Sequence, residues 1–296
     1  MRLISQLHEE RKMTPLGRIW QAFVDNPFAL VGLWIVGFLV LLTILAPFIA
    51  PYSPEAQHSH AILMPPSWDQ TGSVEFFFGT DDLGRDIFSR VLHGVQLTFG
   101  MSLLIVLVSL TIGSIIGAIS GMMTGLKSSI LGHLFDALLS IPSLLMAILV
   151  VAVMGPGLTN VFWAVGIALV PQFIRAIHQA VHDELQKEYV TAARLDGANT
   201  FEIFWYVIMP NVWDVLIIQV TMAISAAILD VAALGFLSLG AQAPSPEWGA
   251  MMAQGLDNLL LAPWTITIPG AAILITVLSI NLVGDGLRSA LAPKRN

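Results

Sequence analysis

Six runs of predominantly apolar residues, each near the roughly 20 needed to cross about 30 Å of hydrocarbon at 1.5 Å per residue, organise this chain. They extend from Phe28 to Ala50, Leu97 to Met123, Ile130 to Met154, Leu158 to Ile177, from just after Pro210 to Leu239, and from Trp264 to Val283. Lipid admits only helices or closed barrels, because every backbone polar group inside it must be satisfied internally. None of the runs alternates as barrel strands do. The reading is therefore an all-α integral membrane protein of six transmembrane helices. Composition agrees: 11% of residues are charged, against about 25% in a soluble domain, which excludes a soluble enzyme. No basic face for nucleic acid exists. The absence of cysteine excludes disulfides and thiolate metal sites. The first run is longer than a typical signal-peptide core, and Pro47 and Pro51 spoil a cleavage site, so it reads as a permanent span.

Orientation follows from lysine and arginine, which favour the cytoplasmic side of short loops. Six alternating spans put both termini on one side. With that side cytoplasmic, Arg2, Arg11, Lys12, Arg18, Lys127, Arg175, Lys187, Arg194, Arg288, Lys294 and Arg295 lie inside, and only Arg85 and Arg90 lie outside. Those two share the long outer loop with Glu55, Asp69, Glu75, Asp81, Asp82 and Asp86.

Polar and small residues inside the spans are the candidates for function. Ser109, Gly113, Gly117, Gly121 and Gly125 recur every four residues, a strip that lets helix backbones approach closely; generic packing and a sliding seam are both compatible with it. Asp136 and Asp285 sit near the cytoplasmic ends of their spans, within reach of interfacial water. Asp230 lies in the outer half of the fifth span, where facing the bundle avoids lipid; contact with a cationic group of a passing substrate and a structural hydrogen bond are both open. The spans hold no lysine and no paired carboxylates, a poor inventory for a proton relay. His178 and His182, at helical i, i+4 spacing, form either a metal face or, lacking a third placed ligand, a solvated polar face. His58 and His60 are weaker candidates still. Gly121 through Ser128 reads GMMTGLKS and lacks the ending of a phosphate-cradling loop. There is no nucleophile elbow or zinc-protease helix, and Ser140-Ile141-Pro142-Ser143 reads as a Pro-kinked helix start. No catalytic site and no cofactor are expected.

The cytoplasmic segment 183–210 is too long for a turn. From Asp183 it predicts a charged helix with Leu185, Tyr189, Ala192 and Ala193 on recurrent apolar positions, stopped by Gly197. A second helix follows, capped by Asn199 with Glu202 in capping-box register, and Pro210 marks the start of the fifth span. Small Ala192, Ala193 and Gly197 leave a surface another protein can approach; an amphipathic helix lying on the membrane is the competing account.

Thr191-Ala192-Ala193-Arg194-Leu195-Asp196-Gly197 followed by Pro210 resembles the EAA loop of ABC-importer permeases, with threonine in place of the leading glutamate. The run GTDDLGRDIFSR (Gly79 to Arg90), the stretch Ile228 to Met252 and NLVGDGLR (Asn281 to Arg288) are similar to the second permease of dipeptide and oligopeptide importers, and VEFFFGTDDLGRD and VHDELQKEYV look like the Sap-type peptide systems linked with antimicrobial-peptide resistance. The resemblance covers nearly the whole chain. It implies a type I permease bundle in the bacterial inner membrane, divided into a cytoplasmic segment 1–27, a first span 28–50, a periplasmic loop 51–96, a five-helix core 97–285 containing the segment 183–210, and a cytoplasmic tail 286–296. It further implies a heterodimer with a homologous permease, two cytoplasmic ATPase subunits and a periplasmic peptide-binding protein, with Ala192, Ala193, Arg194, Asp196 and Gly197 coupling ATPase closure to alternating access. An ion-coupled carrier or channel, which would leave the segment 183–210 without a partner, and a membrane scaffold are the alternatives.

Overall fold

The computed structural model describes residues 15–123 and 125–291. Arg2, Arg11, Lys12, Lys294 and Arg295, counted above on the cytoplasmic side, lie outside the described residues, as do the outer parts of the segments 1–27 and 286–296. Among the described residues regular structure is helical, apart from one antiparallel bridge between Thr80 and Asp86. A short helix α1 (Pro15–Val24) precedes the first long one, α2 (Pro27–Ile49). After the loop 50–86 come α3 (Ile87–Val95) and α4 (Met101–Gly121), then α5 (Leu126–Leu139), α6 (Ser143–Met154) and α7 (Leu158–Leu185). The segment 188–202 holds α8 (Glu188–Leu195) and the one-turn α9 (Thr200–Glu202); α10 (Met209–Phe236), α11 (Trp248–Gly255) and α12 (Trp264–Leu291) complete the fold. Among the described residues five helical stretches are long and apolar enough to span a membrane, and the bent pair α5–α6, counted as one span, makes a sixth.

The passes alternate between two ends. At one end the loop 50–86 meets the α10–α12 connection: Arg85 donates to the Gln254 side chain at 2.9 Å, Trp264 Nε1 donates to the Thr80 carbonyl at 3.0 Å, and Gly157 N–H donates to the Leu239 carbonyl at 3.3 Å. At the other end Phe23 of α1 lies against Gly286 of α12, and α8 sits under α7 and α10. Between them α4, α6, α7 and α10 bury Ile105, Ala147, Val151, Leu169, Phe173, Ala227 and Leu234 in one cluster.

Three segment boundaries differ from the sequence reading. The second span begins at Ile87 rather than Leu97, inside what reads as the loop 51–96: α3 runs through a widened π turn, Gln96–Gly100, directly into α4. Arg90 and His93 disguise this first part as loop, but the Arg90 side chain is buried, lying near the Asp81 carboxylate and donating to the Pro54 and Pro244 carbonyls and to Gln254. The third span is two helices meeting at 81° rather than one, because Pro142 drives Ile141 out of helical geometry. The fifth helix does not start at Pro210 but runs unbroken from Thr200 to Phe236. A π turn, Ile203–Ile208, absorbs the missing proline N–H: Met209 N–H reaches back to the Phe204 carbonyl, and the Asn211 amide donates to the Val207 carbonyl at 2.8 Å.

Candidate functional site

The segment 186–202 is built as a rigid protrusion. The chain leaves α7 at Gln186, turns, and restarts as α8 with Glu188 in its first turn and Arg194 in its last, both matched to the helix dipole. Val190, fully buried, anchors α8 in a cluster with Ile177, Val181 and Leu185 of α7, Ile203 and Ile208 of the π turn, and Val212 and Leu216 of α10. The helix ends in a Schellman motif: Gly197, at φ +91°, donates to the Arg194 carbonyl and Ala198 N–H donates to the Ala193 carbonyl. Asn199 then closes the expected capping box with Glu202. The Asn211 amide also reaches the Tyr189 hydroxyl at 3.3 Å, tying α8 to the start of α10.

The buried face of α8 differs from the one expected. Tyr189 and Ala192 are exposed and Val190 points inward, because Leu185 belongs to α7 and the turn at 186–187 breaks the phase of the 185, 189, 192 periodicity. Ala192, Arg194, Asp196 and Gly197 are exposed and Ala193 is half-buried. Leu195 stands out at 84% exposure, and Phe201 of α9 is 68% exposed. The protrusion thus presents small and apolar residues on a scaffold fixed from behind. Val190 and Asn211 escaped the sequence reading; the aliphatic Val190 in the charged, polar stretch after Leu185 was the available signal.

Within the bundle, Asp230 is 7% exposed and lies near Ser143 at the start of α6. Its Oδ2 is buried without a partner. Asp136 pairs with Arg175 at 2.9 Å, joining α5 to α7, and Asp285 is exposed. His178 is buried, not part of a solvated face: its Nδ1 lies 3.0 Å from the Ser120 hydroxyl and its ring is parallel to that of His182, 6.0 Å away. Among the described residues no group of three or more histidine or acidic side chains is placed to hold a metal. His58 packs against Tyr52 and Phe76 in the outer loop.

The small residues of α4 lie against α7. A Cβ at Gly113 would strike the Phe173 Cβ, one at Gly117 would lie 2.8 Å from the Ile174 carbonyl oxygen, and one at Gly121 would lie 2.8 Å from that of His178. Ser109 donates to the Gly166 carbonyl at 2.9 Å. Gly125 is outside this contact; at φ +71° with open space around it, it precedes α5 instead.

The α10–α12 connection holds one further buried acid. Glu247 caps α11, accepting from the Gly249 and Ala250 amides at 2.9 and 2.8 Å and from the Thr98 hydroxyl at 2.9 Å. Burial raises its pKa above the ordinary glutamate value, opposed by those three hydrogen bonds. Trp248 beside it is buried and donates from Nε1 to the Val91 carbonyl at 3.0 Å.

Residues 113–296 match the family described as binding-protein-dependent transport system inner membrane component, and residues 14–66 match the N-terminal TM domain of oligopeptide transport permease C. The chain is 50% identical over 283 residues to the peptide transport system permease protein SapC of Salmonella typhimurium, covering 96% of each. It is 44% identical to the di/tripeptide transport system permease protein DppC of Pseudomonas aeruginosa, over 95% of this chain and 93% of that one. Its fold is similar to an inward-facing structure of the MetNI methionine ABC transporter, with a TM-score of 0.55 at 17% identity, over 69% of this chain and 97% of that one. With its helical bundle, its six candidate passes and these matches, the chain belongs to the family of inner membrane components of binding-protein-dependent transport systems, the permeases of ABC importers.

Proposed function

We propose that this permease forms half of the translocation path of a peptide importer, Sap-like or dipeptide-type, in the bacterial inner membrane with both termini cytoplasmic. Its partners in this reading are a homologous second permease, two cytoplasmic ATPase subunits and a periplasmic peptide-binding protein. The chain itself is non-catalytic, since hydrolysis belongs to the ATPases. The observation that carries the proposal is α8, fixed to α7 and α10 through Val190 and the Tyr189–Asn211 contact while Ala192, Arg194, Asp196 and Gly197 stay bare. A rigid protrusion with a small-residue face is what transmits a push from a closing partner into two spans at once. The peptide relatives favour that reading over an ion-coupled carrier, which would leave the bare face without a purpose.

Ala193→Asp tests it. A carboxylate placed at a contact forfeits packing or is buried unpaired, at roughly 1 to 3 kcal/mol, about ten- to hundredfold in an association constant. The bundle should still insert and fold, while ATPase copurification and peptide-stimulated hydrolysis fall. Wild-type levels of both would remove α8 as the coupling element. Gly197→Trp is a poorer probe, because φ +91° resists any side chain there regardless of docking.

Asp230, turned inward with one free carboxylate oxygen, is proposed to line the path. Asp230→Asn should fold and assemble yet lower uptake of cationic peptides relative to neutral ones in a competition assay. Equal uptake across peptide charge would leave it as a partner for Ser143 only.

A further inference from the structure

Helix α1 is apolar on two adjacent strips, and only one of them is covered. Phe23, 3% exposed, wedges between α2 and α12, where Gly286 and Ala29 make room for its ring, and half-buried Ile19 lies one turn earlier on the same strip. The neighbouring strip, Leu16, Trp20 and Val24 at i, i+4 and i+8, is 78%, 59% and 37% exposed. The third face carries Arg18, Gln21 and Asp25, all exposed. A helix with one docked apolar strip, one bare apolar strip and one polar edge is amphipathic toward something other than its own protein.

Chain connectivity fixes where that bare strip sits. Asn26 is extended and caps α2 through its side chain, so α1 and α2 are separate helices rather than one rod. Three Cα steps separate Val24 from Pro27, a reach of at most about 11 Å at 3.8 Å per step. The polar layer on each side of the hydrocarbon is about 5 to 8 Å deep, and Phe23 is packed with Ala29 of the first turn of α2 against Gly286 of α12, which holds α1 beside the start of the span rather than extended away from it. The strip also continues into a bare face of the span: Phe28, Val31, Trp34 and Phe38 of α2 are all largely exposed. An apolar face of this kind on a spanning helix is chemically matched to acyl chains.

We propose that α1 is an interfacial anchor that lies along the phospholipid leaflet at the start of α2, with Leu16, Trp20 and Val24 sunk at the boundary between headgroups and acyl chains. Trp20 supplies the amphipathic ring favoured at that depth, and Arg18 extends its aliphatic stem past the boundary to pair with anionic headgroups. Through Phe23 the anchor holds α2 and α12 together at that end, so the leaflet becomes a fixed reference for both spans.

The cysteine-free chain allows a direct test in the assembled transporter, reconstituted into vesicles of phosphatidylethanolamine and phosphatidylglycerol. Nitroxide labels are placed singly at Leu16→Cys, Trp20→Cys and Val24→Cys, and at Gln21→Cys and Asp25→Cys on the polar edge. Collision with oxygen, which concentrates in lipid, is compared with collision with a water-soluble nickel chelate. The logarithm of the oxygen-to-nickel ratio should be positive at the first three positions and negative at the other two. A negative value at all five would place α1 in water and overturn the proposal. Shielding of the first three from both reagents would mean that protein covers the strip, either the segment before Pro15 or a partner subunit, and would overturn it equally.

Discussion

Glu247 shows what a single buried carboxylate does to this fold. Two of its three hydrogen bonds cap α11 and the third ties that cap to Thr98 in the π turn between α3 and α4, yet burial still raises its pKa above the ordinary glutamate value. An acid whose folded pKa is raised takes up protons on folding, so its contribution to stability is complete below the unfolded value and is lost as pH rises through the folded one. The purified permease complex should therefore melt at progressively lower temperature as pH rises from about 4.5 through the folded pKa of Glu247. Glu247→Gln should flatten that slope, whatever it does to the mean melting temperature, and an unchanged slope would assign the pH dependence to another group. None of this was legible in the sequence, where Glu247 is one acid in a Pro-rich connection. Asp230 was legible, because an acid deep in an apolar run has few places to go, and it does face the bundle. What its neighbours are depends on α6 being broken from α5, which places Ser143 against it, and no local pattern announces that.

At the scale of elements, α4 and α7 pack backbone against backbone. Backbone carbonyls of α7 sit where side chains of Gly117 and Gly121 would begin, so the two helices approach to a distance only glycine permits. Gly117→Ala should force them apart and destabilise the permease by about 1 to 3 kcal/mol, read as a drop in melting temperature with insertion unaffected. If the melting temperature holds, α4 and α7 can separate without penalty, which is the behaviour of a sliding seam. The four-residue spacing was visible in the sequence, but its limits were not: Gly125 continues the spacing and takes no part, because α4 has already ended at Gly121. Helix ends were likewise the weak point elsewhere. Pro210 reads as a start signal because a proline removes an N–H that an α-helix needs; a π turn removes that need, and the helix passes through. Gly197 and the Asn199–Glu202 box were read correctly because their geometry is local to six residues.

For the whole molecule, hydropathy was sufficient to find the candidate passes, five continuous and one bent, because lipid leaves the backbone no other option, whereas the bends and the helical part of the outer loop depend on which charges find partners inside the protein. Arg85 and Arg90 illustrate this. They are the two exceptions to the positive-inside assignment, and both are buried beside Asp81 and Gln254 rather than facing headgroups, so they carry little weight in orienting the chain. With them set aside, every remaining cation belongs to the proposed cytoplasmic side. The fold puts the loop 50–86 and the α10–α12 connection at one end and α1 and α8 at the other, which turns orientation into a single binary question. Cysteines at exposed Gln70 and Asp257 belong to the first end and one at exposed Thr191 to the second. In intact cells with a permeabilised outer membrane, an impermeant maleimide should label Gln70→Cys and Asp257→Cys and spare Thr191→Cys until the inner membrane is breached. Labelling of Thr191→Cys alone would invert the protein, placing α8 on the side where no ATPase can reach it and ending the coupling proposal along with the orientation. Labelling at Gln70 but not Asp257 would contradict the shared end itself, and with it the Arg85–Gln254 contact that ties the two loops together.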